Sequence, residues 1–267
     1  MNRYLRMAFV YIKYNIKWQT AYKKSFIMNF ISQFVSYAVD FGLMWIMVNS
    51  FGNMNSWNKY EVMLLYAMSL ASYAIGGAFF FNISLDMPKQ IHSGEFDDFL
   101  IKPLNLLPYL ISRNFLIGYI SHLTLSITMI AICFVNIGLR LTVLEMLFFI
   151  FSVLSGAVIY SALFLLISIP AFFTTKLESL RGIVFFFRQM SYYPLSIFPK
   201  ALQVLLTFII PYGMINFFPV QAVIRKNDIL MFGPYIKYVA PLFAAGLFTL
   251  SVFLFNLGVR RYKSTGS

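Results

Sequence analysis

Few residues of this 267-residue chain carry reactive or charged side chains, and they are unevenly placed. Nine are acidic and two are histidines. Three of the acids, Glu95, Asp97 and Asp98, fall within four positions inside IHSGEFDDFLIKPLNLLP (91–108), between two apolar runs. Asp40 (SYAVDFGLMW), His122 (GYISHLTLS) and Arg188 (VFFFRQM) each stand in otherwise apolar surroundings. Clustered carboxylates beside aromatics suit docking onto a basic or cleft-bearing protein. An isolated acid suits the binding of a cationic group, a pair with a basic residue such as Arg188, or a protonated structural role. A lone histidine suits a proton relay or, more simply, a hydrogen bond between helices. Covalent catalysis has no support: there is no G-x-S-x-G elbow, and the two histidines lie far apart. The single cysteine, Cys133, excludes a disulfide framework and a cysteine metal site.

The elements that hold these residues are set by composition. The chain is 60% hydrophobic and 11% charged, with a mean hydropathy of +0.76. A soluble domain carries roughly 25% charged residues, so the sequence predicts a membrane protein. Its apolar blocks reach the roughly 20 residues that a spanning helix needs. The net charge of +12 comes from basic residues flanking those blocks, the pattern of membrane orientation, and no nucleic-acid binding is expected. The first long apolar run, from about Ser25, exceeds a signal-peptide core and lacks a small-residue cleavage site, so it is read as a retained span.

The sequence predicts an all-α membrane protein, a single transmembrane domain over 1–267. Residues 3–24 form an N-terminal interfacial helix: Leu5, Phe9, Ile12 and Ile16 make one stripe, Arg6, Lys13, Lys17 and Lys24 the next, and Tyr4, Tyr11, Trp18 and Tyr22 a third. Six transmembrane helices follow, over about 26–48, 60–84, 109–137, 141–173, 177–193 and 238–259. With the N-terminus inside, fifteen of the 21 Lys and Arg residues fall on the inner side; Lys59, Arg140, Lys200, Arg225, Lys226 and Lys237 fall outside. That orientation requires an even number of crossings. Hence 194–234, broken by Pro211 and Pro219, is read as outer re-entrant helices between spans five and six, packed where protein covers the broken backbone. The rival reading makes 201–224 the fifth span and lays 177–193 along the inner surface. Glu178 and Arg181 are read as an i,i+3 pair, and Glu178 as a second candidate partner for Arg188.

On this topology the connector faces the cytoplasm. Gly94 permits a sharp turn, and Glu95, Asp97 and Asp98 then occupy the first turn of a short helix, favoured there by the helix dipole. Phe96, Phe99 and Leu100 share one face, and Pro103 limits continuation. This reading exposes both the aromatics and the carboxylates to the cytosol, away from anionic lipid. An ordinary connecting loop is the simpler alternative.

HSGEFDDFLIKPLN resembles the signature of ABC type-2 transporter permeases after their second span. AFFTTKLESL and YYPLSIFPKALQVLLTFIIPYGMINFFPV resemble later segments of the same branch, in the same order. Thr174, where tryptophan is more usual nearby, and Phe96, where leucine is usual, depart from the pattern. The resemblance implies that 86–108 is a cytoplasmic coupling helix seated in a cleft of a separate ATP-hydrolysing subunit. Its contact would comprise Gly94, Glu95, Asp97, Asp98, Lys102 and Pro103, with Phe96, Phe99 and Leu100 as apolar anchors. No G-x-x-x-x-G-K-[ST] loop is present, so the chain is expected to bind no cofactor or metal itself, with ATP and Mg on two partner ATPase subunits. A second permease, identical or related, would complete the pathway in a bacterial plasma membrane, with both termini cytoplasmic. The implied function is export of an amphipathic or hydrophobic substrate, a drug (multidrug efflux), an antimicrobial peptide or a lipid, with Asp40 and His122 as candidate path residues. The alternative is an ion-coupled carrier or channel, which would need more embedded charges and usually an internal repeat.

Overall fold

The computed structural model describes residues 3–51, 54–173, 178–228 and 230–262. Thr174, Lys176 and the side chain of Glu178 lie outside what is described, as does any pair Glu178 makes. Among the described residues the chain is helical with no strand, apart from one isolated bridge between Met54 and Trp57.

Among the described residues, five helical stretches are long and apolar enough to cross a membrane: Lys23–Ser50, Lys59–His92, Ile117–Ile137, Val143–Phe172 and Ala240–Arg261. They correspond to α2 (Lys23–Phe51), α3 (Lys59–His92), α6 (Ile120–Ile137), α7 (Val143–Ser168) and α12 (Ala240–Arg261), with short 3₁₀ turns extending α6 and α7. A sixth arises if the pair Lys200–Ile209 and Tyr212–Val223, bent by 66°, is one span.

α3 and α7 form the centre. Their seam is lined by small residues, which lets the backbones approach closely and favours association where water supplies no driving force. A β-carbon at Gly76 would meet the Ala157 carbonyl oxygen at 2.6 Å. Hydroxyls cross the same seam: Ser69 Oγ lies 2.8 Å from the Tyr160 hydroxyl, and Ser72 Oγ donates to the Val153 carbonyl at 3.1 Å. α3 and α7 start alike. Asn58 and Glu61 make a capping box on α3, and Thr142 and Glu145 make one on α7. Each box satisfies backbone donors that a membrane helix leaves open at its start. α2 is peripheral, with 11% of its spanning window buried against 89% for α3.

Three stretches differ from the sequence reading. α3 continues past Ser84 through Pro88 to His92, because Met87, Gln90 and Ile91 remain buried against the bundle. The 109–137 stretch is two helices, α5 (Leu106–Arg113) and α6. At the break, Asn114 Nδ2 bonds back to the Leu110 carbonyl at 2.9 Å, and the Leu116 N–H bonds to Ala78 of α3 at 2.8 Å. α1 (Arg3–Ala21) closes this break with two amides. Asn15 Nδ2 donates to the Ser112 and Arg113 carbonyls at 2.8 and 2.5 Å. Gln19 Nε2 donates to the Phe115 carbonyl at 2.7 Å, while its Oε1 accepts the Ile117 N–H at 3.1 Å. Broken backbone is thus re-satisfied by side chains of a neighbouring helix. Phe9, Tyr14 and Trp18 along α1, and Tyr22 just beyond it, stay exposed.

The third difference is α8 (Glu178–Met190), at 13 residues shorter than the other crossing candidates. It is followed by α9 (Lys200–Val204), a π-helical turn Leu205–Ile209, α10 (Tyr212–Ile215) and α11 (Phe217–Val223). Long side chains of α8 and the turn after it reach α3 at three points: Phe185 meets Phe81, Arg188 meets Tyr73, and Tyr192 meets Tyr66. The bend beyond Pro211 reaches Tyr160 through Tyr212, whose hydroxyl donates to the Val184 carbonyl at 2.9 Å. Asn216 bonds the Leu65 and Ser191 carbonyls at 3.1 and 2.7 Å.

The chain after α11 returns to the starts of α3 and α7. Lys226 Nζ contacts Glu61 at 2.6 Å and the Ser56 carbonyl at 2.7 Å, and lies over the Trp57 ring. Trp57 Nε1 donates to Asp228 at 2.7 Å, and Arg225 pairs with Glu145 at 2.9 Å. Lys237, whose pKa burial holds below its ordinary value, donates to the Lys226 carbonyl and to Asn227 Oδ1.

Candidate functional site

The connector between α3 and α5 begins at Gly94, whose φ of +76° is the left-handed geometry that glycine adopts without strain. Asp97 and Asp98 open α4 (Asp97–Leu100), with Glu95 just before it, and the chain leaves the helix two residues before Pro103.

The aromatic side chains point inward, which corrects the expectation that they are exposed to a partner. Phe96 is 0% exposed and Phe99 3%. Phe96 packs edge-on against Phe172 at the end of α7 and Tyr262 at the end of α12, with ring centroids 5.4 and 5.1 Å apart. Phe99 packs on Tyr109 at 5.9 Å and lies beneath the Arg113 guanidinium at 4.5 Å. A four-residue helix has too few internal bonds to stand alone, so burying two phenylalanines is what fixes it to the ends of α7 and α12 and to the short helix α5. Polar contacts add to this. Glu95 pairs with Arg113 at 2.9 Å, and Lys102 Nζ donates to the Tyr109 hydroxyl at 2.7 Å. The Tyr262 phenol is held above its ordinary pKa by burial and then by the adjacent Asp97 carboxylate. What remains outward is Asp98, Leu100, Ile101, Pro103 and the exposed part of Glu95. Ile101, at 79% exposed, is the most prominent apolar side chain of this face, and it carries no motif signal.

A second cluster lies at mid-bundle. Arg188 is 5% exposed, and its guanidinium carbon stacks 3.6 Å from the Tyr73 ring centroid. Tyr37, Tyr160 and Tyr192 surround it at 6.0, 6.0 and 5.8 Å. A desolvated cation over an aromatic face gains about 2 kcal/mol. Its Nε and Nη2 nonetheless have no hydrogen-bond partner. Arg188 and Asp40 line one cavity of about 620 Å³ between α2 and α8, but no ion pair joins them among the described residues. His122 lines a separate cavity of about 260 Å³; Tyr37 belongs to the walls of both. The two candidate path residues are therefore not brought together. His122 Nδ1 lies 3.1 Å from Ser121 Oγ, and its ring stacks on Tyr119 and meets Tyr37 edge-on.

Two bracing features had no motif. The tyrosine cage does have a trace in sequence, since Tyr66 and Tyr73 are seven apart and share a face of α3. Asn15 and Gln19 are likewise one turn apart on α1.

A family model described as ABC-2 family transporter protein matches residues 34–266, nearly the whole chain. The chain belongs to the ABC-2 transporter family. No curated protein and no solved structure gives a match. Membership makes this an ABC permease, a multi-pass membrane protein, and implies that ATP-hydrolysing subunits are its partners. Members of the ABC-2 family are the membrane part of such transporters and generally carry no ATPase site of their own.

Proposed function

We propose that the chain is the permease subunit of an ABC exporter that moves an amphipathic or hydrophobic substrate, a drug, an antimicrobial peptide or a lipid, across a bacterial plasma membrane. ATP and Mg are held by two separate ATPase subunits, and a second permease, identical or related, completes the path. The connector 86–108 is the coupling segment and lies with both termini on the cytoplasmic side. α8 with residues 191–193 makes the fifth crossing, and 194–234 dips in from the outer side and returns. The contacts of Phe185, Arg188 and Tyr192 along α3, from Phe81 to Tyr66, support that topology. So does the position of Trp57, Glu61, Lys226 and Asp228 together at one end.

One observation carries the reading: the connector is braced to α7, α12 and α5 by buried aromatics while presenting Asp98, Leu100, Ile101 and Pro103 outward. A stroke applied to that face passes into three helices at once, because the packed contacts between them are stiff. Ile101 and Leu100 enter the partner's cleft, Asp98 meets a basic group there, and Glu95 holds the connector to α5. The test is co-purification of the ATPase with the double variant Asp98→Lys, Ile101→Asp. Loss of the ATPase with unchanged permease folding is expected; a normal complex with normal ATP turnover would remove the coupling assignment.

A further inference from the structure

We infer that the cavity between α2 and α8 is a binding site for an amphiphile with an anionic head group, the head held by Arg188. This rests on the permease reading and narrows its substrate class. Arg188 is a buried guanidinium with two donor nitrogens unpartnered, and the three ion pairs among the described residues all lie elsewhere. The Tyr160 hydroxyl is within hydrogen-bonding reach of the guanidinium, but the two orphaned donors are costly to bury, and an incoming phosphate or carboxylate removes that cost with charge-assisted hydrogen bonds. The cage is tight on one side only. Tyr73 stacks at 3.6 Å, whereas Tyr37 and Tyr192, which line the cavity, stand at 6.0 and 5.8 Å, so a head group reaches the guanidinium by turning those two rings aside.

The rest of the cavity suits an alkyl chain. Leu43, Met44, Met47, Phe186 and Phe198 form an apolar wall, and Leu43, Met47 and Phe186 are also exposed on the chain's outer surface. The cavity therefore opens sideways past the peripheral helix α2, the direction from which a lipid-like molecule arrives. Its volume of about 620 Å³ falls within the 300–1,000 Å³ range of ligand pockets. Asp40, on the same wall, disfavours a head of high negative charge and favours one that is singly charged or carries an amine.

The test uses the full chain in nanodiscs of neutral lipid. Two probes share one fluorescent acyl chain: a lysophosphatidic acid and the uncharged monoacylglycerol. Wild type is expected to bind the phosphate probe at least about tenfold more tightly, Arg188→Gln to lose that preference, and Arg188→Lys to keep most of it. Equal binding of both probes to wild type, or an unchanged preference in Arg188→Gln, would overturn the site. A diazirine in the acyl chain of the phosphate probe gives a second readout on wild type, free of any folding defect in the variants. It should label peptides containing Met44–Met47 or Phe185–Met190, and labelling confined elsewhere would also overturn it. None of these measurements involves an ATPase. A failure of the permease reading, seen as an ATPase that never co-purifies, is therefore distinguishable from a failure of the site.

Discussion

Replacing Phe96 separates two roles that the motif alone merges. If the ring faced a partner, Phe96→Ala would spare the isolated permease and abolish docking. The ring is instead fully buried between Phe172, Tyr262 and Phe99. The connector follows the end of α3, beyond the apolar spans, so loss of the ring returns a cavity to a water-facing region. Truncating a fully buried phenylalanine costs about 3–5 kcal/mol. For a chain of this size each kcal/mol corresponds to roughly 2–4 °C, so the melting point of the detergent-solubilised permease should fall by roughly 6–20 °C. Phe96→Leu keeps most of the apolar volume, at a cost of about 1.5 kcal/mol or less. Thermal unfolding followed by size-exclusion chromatography, without any ATPase present, measures both. A Phe96→Ala protein that melts like wild type but fails to bind its ATPase would refute the inward assignment.

Other consequences are open to equally direct measurement. Gly76→Val should prevent close packing of α3 on α7 and abolish recovery of folded protein, since even the first added carbon falls 2.6 Å from the Ala157 oxygen; normal yield would contradict the seam. Either Glu61→Gln or Lys226→Met should cost about 1.5–3 kcal/mol through the charge-assisted contact at 2.6 Å, and a double-mutant cycle showing no coupling would remove that pair from the account. Replacing both Asn15 and Gln19 by leucine should speed amide exchange at Ile117, whose N–H is accepted by Gln19 Oε1, and loosen the α5–α6 break whose carbonyls the two side chains satisfy; unchanged exchange at Ile117 would show that the break is capped by other means.

Much of the architecture was legible because membrane spans depend on composition over long windows. Apolar blocks, flanking cations and the proline-broken 194–234 stretch all register in one sequence. The direction of individual side chains was not. A four-residue helix such as α4 has no periodicity from which to tell which face is covered. Phe96 and Phe99 meet Phe172, Tyr262 and Tyr109, which are distant in sequence or, for Tyr109, across a break. Likewise the helix break at Asn114 looked like continuous span, because FLIGYI stays apolar while its freed carbonyls are answered by amides 96–98 residues away. Arg188 was visible as an anomaly, but its partners were not, because its cage is assembled from tyrosines on α2, α3, α7 and the turn after α8.

The coupling claim is most directly tested by a photo-crosslinking amino acid placed at position 101 in the assembled transporter. The account predicts a covalent adduct between the permease and its ATPase at that position, weakened by Asp98→Lys in the same chain. No adduct at position 101, with efficient crosslinking to the ATPase from position 226 at the opposite end of the bundle, would contradict it.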